Sequence, residues 1–364
     1  MNAVIGCPAA TEWHENRVAI TPEVVTRLRR SGLDIVVEAG AGRKAGFPDE
    51  AYRAAGARIA ERVEVFAESD VLVVVHRPDC DRLPAGQIVI GLLSPYDRPD
   101  ELEGIAALAF EGLPRTLSRA QSMDVLSSQA NVAGYKAAVL AADTFGGFFP
   151  MMMTAAGTVR PAKVLVLGGG VAGLQAMGTA RRLGALVTGY DVRAAARADI
   201  ASTGAAVLDL GVADELSAEG EGGYARTLSA EEQAEQQRAL VDAIRDFDVV
   251  ITTAQVPGHR PPELVSAEAL AAMAPGSVVI DLGAGPYGGN VAGSVPDGRI
   301  ETENGVVVLG AGNLPAQVPR AASSAWARNV AALLEHLVHD GSVVLDPDDE
   351  ITAGLLIRSK EAVS

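Results

Sequence analysis

The amino-acid sequence predicts an α/β protein built from parallel sheets covered by helices. Short apolar runs alternate with helical patterns along most of the chain, which is the element order of βαβ units. Some runs are unbroken, as in Val71 to Val75, and unbroken β-branched runs are typical of strands buried on both faces of a parallel sheet. Aromatic residues make up only 4% of the chain against 39 glycines, which favours this architecture over an aromatic-rich β-sandwich.

The first alternating segment covers residues 1 to about 125. Its predicted strands are Ala3 to Gly6, Asp34 to Glu38, Val71 to Val75, Gln87 to Leu93 and Ala106 to Phe110. Helical patterns lie between them, at Pro22 to Ser31 and near Asp49 to Ala55. Ala120 to Phe145 has helical spacing and no proline, so we expect one long helix to leave this domain.

A second alternation begins at Lys163 and predicts another doubly wound sheet. Its predicted strands are Val164 to Leu167, Leu186 to Tyr190, Ala206 to Leu208, Val249 to Ile251, Val278 to Ile280 and Val306 to Leu309. A helix is expected from Gly170 to Leu183, whereas Ala213 to Gln237 is polar and predicts a loop. Because the helical pattern Ser323 to Leu337 is expected to return to the first domain, the predicted domains are 1–125 with about 325–364, and 126–324.

Length, charge and cysteine content limit the classes of function. At 364 residues the chain is about twice the ~150 residues of a typical domain. A formal net charge of −16 would repel phosphate backbones and anionic lipid, which argues against nucleic acid as the main partner. Cys7 and Cys80 can form neither a disulfide framework nor a four-ligand zinc site, which fits a reducing, cytosolic compartment. With no readable signal peptide and glycines interrupting Val164 to Ala180, no membrane insertion is expected.

A glycine-rich turn is the strongest local signal for a ligand. Gly168, Gly170 and Gly173 form a GxGxxG pattern that follows a predicted strand and opens a predicted helix, and Asp191 stands 21 residues after Gly170. This context is that of a dinucleotide site, where backbone amides approach a pyrophosphate and the carboxylate accepts from a ribose. The predicted cofactor-binding residues are Gly168, Gly170, Val171, Ala172, Gly173, Asp191, Val192 and Arg193. Asp191 favours NAD(H) because it would repel a 2′-phosphate, although Arg193 weakens that preference; the alternative is a glycine turn without a ligand.

Several further segments along the chain form specific patterns. They are Arg17 to Pro22, SRAQSMDVLSSQANVAGY at 118–135, MMMTAAGTVRPAKVLVLG at 151–168, Gly222 to Ala225, Val256 to Gly258 and Thr302 to Gly305. In these segments and in their order, the whole chain resembles the alanine dehydrogenase and proton-translocating transhydrogenase family, and within it the transhydrogenase branch. The SRAQSMD and TAAGTV segments are specific, whereas the glycine pattern alone would not be.

The resemblance implies two Rossmann-like domains with NAD(H) in the cleft between them, bound by the second. The family's polar loop of Arg, Gln and Asp, which reaches the nicotinamide and would also help to bind it, corresponds to Gln121 and Asp124 here. Its arginine corresponds to Arg115, with Arg119 as the substitute, because the segment Pro114 to Arg119 is one residue longer than the family's usual spacing. Tyr224 corresponds to the tyrosine of a mobile loop that closes over the nucleotide. A purely local alternative is a helix start capped by Ser118, with Asp124 facing water.

The implied reaction is hydride transfer between two nicotinamides. Such a transfer needs no general base, only two rings held with their C4 atoms close in a water-poor site. The resemblance implies a cytoplasmic homodimer that is the NAD(H) subunit of a translocase, peripheral to the inner face of the cell membrane. NADP(H) would be held only by a partner subunit, next to membrane subunits, since the sequence contains no second glycine fingerprint.

Two other functions remain open. In an amino or imino acid dehydrogenase, Arg17 would bind a carboxylate, but His76 stands where that branch has a lysine and Gly91 to Ser94 offers no histidine. Altered loops at 283–290 and 310–313 leave room for such a repurposed enzyme. The third possibility is a non-catalytic, NAD-binding regulatory protein, against which the retention of Gln121, Asp124 and Tyr224 argues.

Overall fold

The computed structural model describes residues 2–78, 83, 86–95, 106–210, 229–255 and 260–357. The chain forms two compact units, one of residues 1–129 with 315–364 and the other of residues 130–314. The sequence predicts boundaries at 125 and about 325. The return to the first unit comes earlier because the whole helix that begins at Pro319 packs in that unit's core.

The first unit contains a six-stranded parallel sheet. Its strands are β1 (Val4–Cys7), β2 (Asp34–Glu38), β3 (Arg58–Ala60), β4 (Val71–His76), β5 (Ile88–Leu92) and β6 (Ala106–Ala109), in the spatial order β3-β2-β1-β4-β5-β6. Helices α1 (Pro22–Arg30), α2 (Asp49–Ala55) and α3 (Arg62–Glu68) lie between strands along the chain. Pro22 at the first helical position pre-sets α1, and Val24, Val25 and Leu28 are its buried stripe.

The predicted long helix from Ala120 to Phe145 is interrupted. A 3₁₀ helix covers Ser118–Met123, Asp124 leaves the helical conformation with ψ of 89°, and α4 runs over Val125–Thr144. The reason is that Asp124 caps α4, since its carboxylate accepts from the amide of Ser127 at 2.9 Å. Helical periodicity alone does not show that an acidic residue stops one helix and starts another.

The second unit contains a seven-stranded sheet in the order β11-β10-β9-β12-β13-β15-β14. The chain first forms an antiparallel hairpin, β7 (Met152–Thr154) with β8 (Gly157–Val159). The sheet strands are β9 (Lys163–Leu167), β10 (Leu186–Tyr190), β11 (Ala206–Val207), β12 (Val249–Thr252), β13 (Val278–Asp281), β14 (Arg299–Glu301) and β15 (Val307–Gly310). Only β14 pairs antiparallel within it. The helices are α5 (Val171–Arg182), α6 (Ala194–Ser202), α7 (Ala230–Ile244) and α8 (Ala267–Ala272).

Both faces of the second sheet are buried. Val164 and Val166 of β9 lie in one hydrophobic cluster, whereas Leu165 and Leu167 lie in another on the opposite face. Such two-sided burial is why the central strands are unbroken apolar runs. The two sheets and their helices confirm the predicted pair of Rossmann-like, doubly wound domains.

The predicted loop over Ala213 to Gln237 is wrong in its last section, because α7 begins at Ala230. Among its described side chains this helix buries a narrow stripe of Gln236, Leu240 and Ile244, and most of its other positions are polar. The amide of Gln236 donates to the hydroxyl of Tyr190 at 3.1 Å. A helix with so few apolar residues gives a weak periodic signal. Residues 211–228 lie outside the described portion of the chain.

The C-terminal segment completes the first unit. It contains α9 (Pro319–Leu337), the short pair β16 (Val338–His339) with β17 (Ser342–Val343), and α10 (Glu350–Leu355). Trp326 of α9 is fully buried and packs edge-on against Phe110, with ring centroids 6.1 Å apart. Asp349 caps α10 by accepting from the amide of Thr352 at 2.9 Å, and His336 of α9 lies 2.9 Å from the same oxygen. This carboxylate therefore ties α9 to α10.

Acid should weaken the contact that Asp349 makes between α9 and α10. Its partial burial by itself would raise the pKa, but hydrogen bonds from His336 and Thr352 outweigh this and lower the pKa to about 2. A lowered carboxyl pKa stabilises the fold above the unfolded-state value of about 3.9, and this stability is lost as pH falls towards 2. We expect Asp349→Asn to cost about 1 kcal/mol at pH 6 and much less at pH 2.5, measured by urea unfolding. Exposed Asp348→Asn is the control, and a pH-independent difference between Asp349→Asn and wild type would contradict the assignment.

Candidate functional site

The carboxyl end of the second sheet is where a ligand site is expected. The strand order reverses between β9 and β12, so the loops that follow these two strands diverge. In open α/β sheets such a switch point leaves a crevice at the carboxyl ends of the strands. The loop between β9 and α5 lies at this point.

Three glycines shape this loop, each for a different physical reason. Gly168 has φ of 113°, which favours glycine, and a Cβ there would lie 2.3 Å from Thr253 Oγ1. A Cβ on Gly173 would lie 1.8 Å from the carbonyl oxygen of Gly168, so α5 can approach the strand only with glycine at this position. Gly170 has an ordinary φ of −80°, and its Cβ would point into open space with no atom within 4 Å. Contacts within the fold therefore require glycine at positions 168 and 173 but not at position 170. Glycine at position 170 is explained if a ligand occupies the space that a side chain would fill.

The start of α5 faces that open space. Val171 is exposed and Ala172 half-buried, and their amides lie in the first turn, where a helix offers no internal acceptors. The first turn contains no acidic residue, whereas Arg181 and Arg182 lie in the last turn. Free amides, the helix dipole and a missing side chain at Gly170 together fit a pyrophosphate.

Asp191 follows β10, and its side chain has a second task that the sequence did not reveal. Its Oδ2 accepts from the amide of Gly169 at 2.7 Å, which fastens the glycine turn. Its Oδ1 accepts from the amide and Nε of Arg193 at 2.8 and 2.9 Å, and Nη2 of the same arginine lies 3.0 Å from Oδ2. Arg193 therefore compensates the charge expected to repel a 2′-phosphate. Val192 is half-buried and packs against the core.

A buried pair missed by sequence reasoning holds the neighbouring loops. Asp281 ends β13 and is fully buried; its Oδ1 accepts from Thr252 Oγ1 at 2.9 Å and from the amide of Gly283 at 2.8 Å. Fully buried Asn290 donates to the carbonyl of Ala254 at 2.9 Å and accepts from the amide of the same residue at 3.1 Å. Asp281 also accepts from the amide of Asn290 at 3.2 Å, so the loops after β12 and β13 are bound together. The signal available in the sequence was the position of Asp281, an acidic residue directly after a predicted strand and before Gly283.

In the first unit, the predicted polar residues lie on the 3₁₀ segment and its end. Gln121 is exposed, and its side chain has no hydrogen bond within the described portion of the chain. Asp124 is 9% exposed, and Ser127 Oγ donates to its Oδ2 at 2.6 Å. The local alternative requires Ser118 as a cap and Asp124 facing water. Instead, the 3₁₀ segment has no side-chain cap at its start, and Asp124 is buried and caps α4.

The two candidate arginines differ in their surroundings. Arg119 is exposed and bonds to the carboxylate of Glu350 at 2.9 Å, with Asp349 at 3.4 Å. Arg115 is half-buried. The preference for Arg115 as the nicotinamide residue stays a prediction, and Tyr224 lies outside the described residues.

Arg17 and His76, the residues of the rival dehydrogenase hypothesis, lie together in the first unit. Glu15 binds Arg17 through both carboxylate oxygens, at 2.9 and 2.7 Å, and lies 2.8 Å from His76 Nε2. Burial by itself would raise the pKa of Glu15, but hydrogen bonds from Arg17 and His76 outweigh it and hold the pKa well below its usual range. Arg17 also donates to Gln129 at 2.9 Å. Its positive charge is balanced inside the unit by Glu15, 2.7 Å away.

The described residues contain neither a metal-binding cluster nor a membrane-spanning helix. Within the described ranges, no group of three or more His, Cys, Asp or Glu side chains is placed to hold a metal ion. Of the helices described, none is both long and apolar enough to cross a membrane.

Comparison with known proteins identifies the class. The Alanine dehydrogenase/PNT N-terminal domain model matches residues 6–133 and the C-terminal domain model matches residues 137–364. The chain therefore belongs to the alanine dehydrogenase/PNT family of oxidoreductases.

Particular relatives narrow the resemblance. The chain is 39% identical over 371 residues to the NAD(P) transhydrogenase subunit alpha of Cereibacter sphaeroides, covering 99% of this chain and 71% of that protein. The crystal structure of transhydrogenase from Sinorhizobium meliloti superposes with a TM-score of 0.85 at 39% identity, over 97% of both chains. Alanine dehydrogenase of Bacillus subtilis is 28% identical over 97% of this chain and 90% of its own. The chain is thus similar to transhydrogenase alpha subunits along nearly its whole length.

A side chain at position 170 should block the ligand site without disturbing the turn. Gly170→Asn keeps a good N-cap residue and an allowed φ but fills the open space, so we expect NADH affinity to fall at least ~10-fold. Fluorescence titration with NADH measures this. The control is Gly178→Ala in the same helix, whose Cβ would make only an ordinary 3.7 Å contact. Unchanged affinity in Gly170→Asn would place the pyrophosphate elsewhere.

Removing the Asp281 carboxylate should destabilise the second unit. Asp281→Ala leaves Thr252 Oγ1 and several buried amides without an acceptor, so we expect a loss of about 3 kcal/mol in the free energy of unfolding. Urea unfolding followed by circular dichroism measures this loss. Exposed Asp199→Ala on α6 should change stability by less than about 0.5 kcal/mol. Equal stability of the two variants would show that Asp281 does not hold the loops.

Proposed function

We propose that this chain is the NAD(H)-binding subunit of an NAD(P) transhydrogenase, transferring hydride between NAD(H) on this chain and NADP(H) on a partner subunit. The observation that carries the proposal is the glycine turn with open space at Gly170, in a chain 39% identical to a transhydrogenase alpha subunit. Bound nicotinamide nucleotide supplies or accepts the hydride.

The second unit would hold the nucleotide. The amides at the start of α5 would bind the pyrophosphate, and Asp191 would face the adenosine ribose from its place beside Gly169. Because Arg193 already bonds both oxygens of Asp191, NAD(H) preference would depend on the pair rather than on the carboxylate alone. We therefore propose weaker binding of NADP(H), not its exclusion.

The first unit would orient the reactive ring. Gln121 offers an exposed amide that can bind a carboxamide, and Arg115 and Asp124 would complete the polar set. Asp124 already accepts from the amide and the hydroxyl of Ser127, which would hold its carboxylate in one orientation. Tyr224 would act in closing the site and excluding water. None of these residues needs to move a proton.

The arrangement of partners follows from the relatives' names. The Cereibacter protein is named as one subunit, alpha, of its enzyme, so we infer that further subunits complete the reaction. These would present NADP(H) and cross the membrane, with this chain as a homodimer docked on the cytoplasmic face. Proton translocation would belong to that assembly.

An amino or imino acid dehydrogenase is the second candidate, and one observation favours it. Arg17 and His76 lie 3.2 Å apart, which is how a carboxylate receptor and a proton donor would be arranged in such an enzyme. However, Glu15 already neutralises Arg17, and identity to an alanine dehydrogenase is only 28%. The purely regulatory alternative predicts no turnover in any assay.

Reconstitution tests the proposed function. The purified chain, mixed with an NADP-binding transhydrogenase domain, should transfer hydride from NADH to an NADP analogue, and neither component should do so alone. Gln121→Ala should slow this transfer by about 10-fold while NADH affinity changes less, because orientation rather than binding is lost. Gln237→Ala on α7 is the matched control.

Other outcomes point to the alternatives. Alanine-dependent NAD reduction by the chain alone would replace the transhydrogenase assignment with the dehydrogenase. NADPH binding as tight as NADH binding would contradict the proposed role of Asp191. NADH binding without transfer in either assay would leave the regulatory protein.

A further inference from the structure

We propose that Asn329 and Arg119 are positioning residues that hold the polar 3₁₀ segment Ser118–Met123 against the C-terminal helices, so that Gln121 is presented in one orientation. The inference rests on the proposed function of Gln121. Asn329 lies far from Gln121 in the sequence, and Arg119 lies two residues before it. Neither residue is proposed to contact the nicotinamide.

The segment cannot fix its own orientation. It is six residues of 3₁₀ helix, whose hydrogen bonds have poorer geometry than those of an α-helix. The bond that closes its end, from the amide of Asp124 to the carbonyl of Gln121, is long at 3.3 Å. Ala120 and Met123 are buried and anchor one face, but Gln121 and Ser122 are exposed on the other. Contacts from outside the segment must therefore set the exposed face.

Asn329 provides one such contact. Its Nδ2 donates to the carbonyl oxygen of Ser122 at 2.8 Å, directly after Gln121 in the chain. Asn329 stands on α9 one turn beyond Trp326, whose burial fixes that helix in the core. The oxygen of the same amide, Oδ1, is buried and has no hydrogen-bond partner in the described structure. An unsatisfied buried acceptor costs free energy, so Asn329 keeps its hydrogen bond to Ser122 despite that cost.

Arg119 provides the second contact, on the other side of Gln121. Its guanidinium bonds to Glu350 and lies 3.4 Å from Asp349. Asp349 is itself fixed by Thr352 and His336, so the arginine is attached to a defined point where α9 and α10 meet. Two side-chain contacts therefore bracket Gln121, one from each C-terminal helix. In this role Arg119 differs from Arg115, which the proposed function assigns to the ring.

The Asn329 contact is tested first. Asn329→Asp is nearly isosteric but replaces the donor by an oxygen facing the Ser122 carbonyl, and Asn329→Ser is too short to reach it. In the reconstituted assay, both should slow hydride transfer by about 10-fold with NADH affinity within about 2-fold of wild type. Amide hydrogen exchange should rise in peptides covering 115–124. The control is Arg328→Ala on the same helix, which only loses an exposed 3.4 Å ion pair with Glu23.

The Arg119 contact is tested by coupling. Arg119→Ala and Glu350→Ala should each slow transfer by about 3-fold, a small factor because the pair is exposed, and the double variant should be no slower than either single. If Arg119 acted on the nicotinamide, Glu350→Ala would match wild type and Arg119→Ala alone would be slow. That result would overturn the role proposed for Arg119.

Failure of this inference is distinguishable from failure of the proposed function. If Gln121→Ala transfers hydride at the wild-type rate, the polar segment is not at the reacting ring and the proposed site is wrong. If Gln121→Ala is slow while both Asn329 variants keep wild-type transfer and exchange, only the positioning role is wrong.

Discussion

A steric constraint between two glycines underlies the second unit. The carbonyl oxygen of Gly168 occupies the place of a Cβ on Gly173, so the first turn of α5 lies directly on the end of β9. This close approach directs the unpaired amides of the helix start towards the switch point of the sheet. The proposed dinucleotide site depends on that geometry, because a side chain at Gly173 would separate helix and strand and one at Gly168 would run into Thr253. Asp191 reinforces the same turn by accepting from Gly169.

Buried or partly buried carboxylates perform structural tasks in both units. Asp191, Asp281 and Asp349 each accept from backbone amides at the end of a strand or the start of a helix. Burying a carboxylate is unfavourable unless donors surround it, and here the donors belong to the loops that the carboxylates hold. The acidic side chains thereby fix connections that would otherwise be flexible. The same physics explains Asp124, which is both a predicted site residue and a helix cap.

The first unit contains the two residues that the dehydrogenase hypothesis requires, but a third side chain already bonds both of them. Arg17 and His76 lie together, as the dehydrogenase hypothesis requires, but Glu15 bonds both and balances the arginine within the fold. The polar 3₁₀ segment is more exposed than this buried cluster. Contacts from α9 and α10 hold the segment, and both helices follow the whole second unit in the sequence. The first unit is therefore complete only when residues 315–355 are in place.

The amino-acid sequence was sufficient to predict the α/β architecture, the two sheets and the glycine turn, because unbroken apolar runs and the GxGxxG pattern are local signals that follow strand period and backbone sterics. It did not show that Asp124 divides the predicted long helix, that residues 230–237 are helical, or that Asp281 and Asn290 join two loops. Those features depend on capping, on a narrow buried stripe and on donors from distant segments. The pairing of Arg119 with Glu350 and the hold of Asn329 on Ser122 emerge from the folded chain alone, since each contact joins residues more than 200 positions apart.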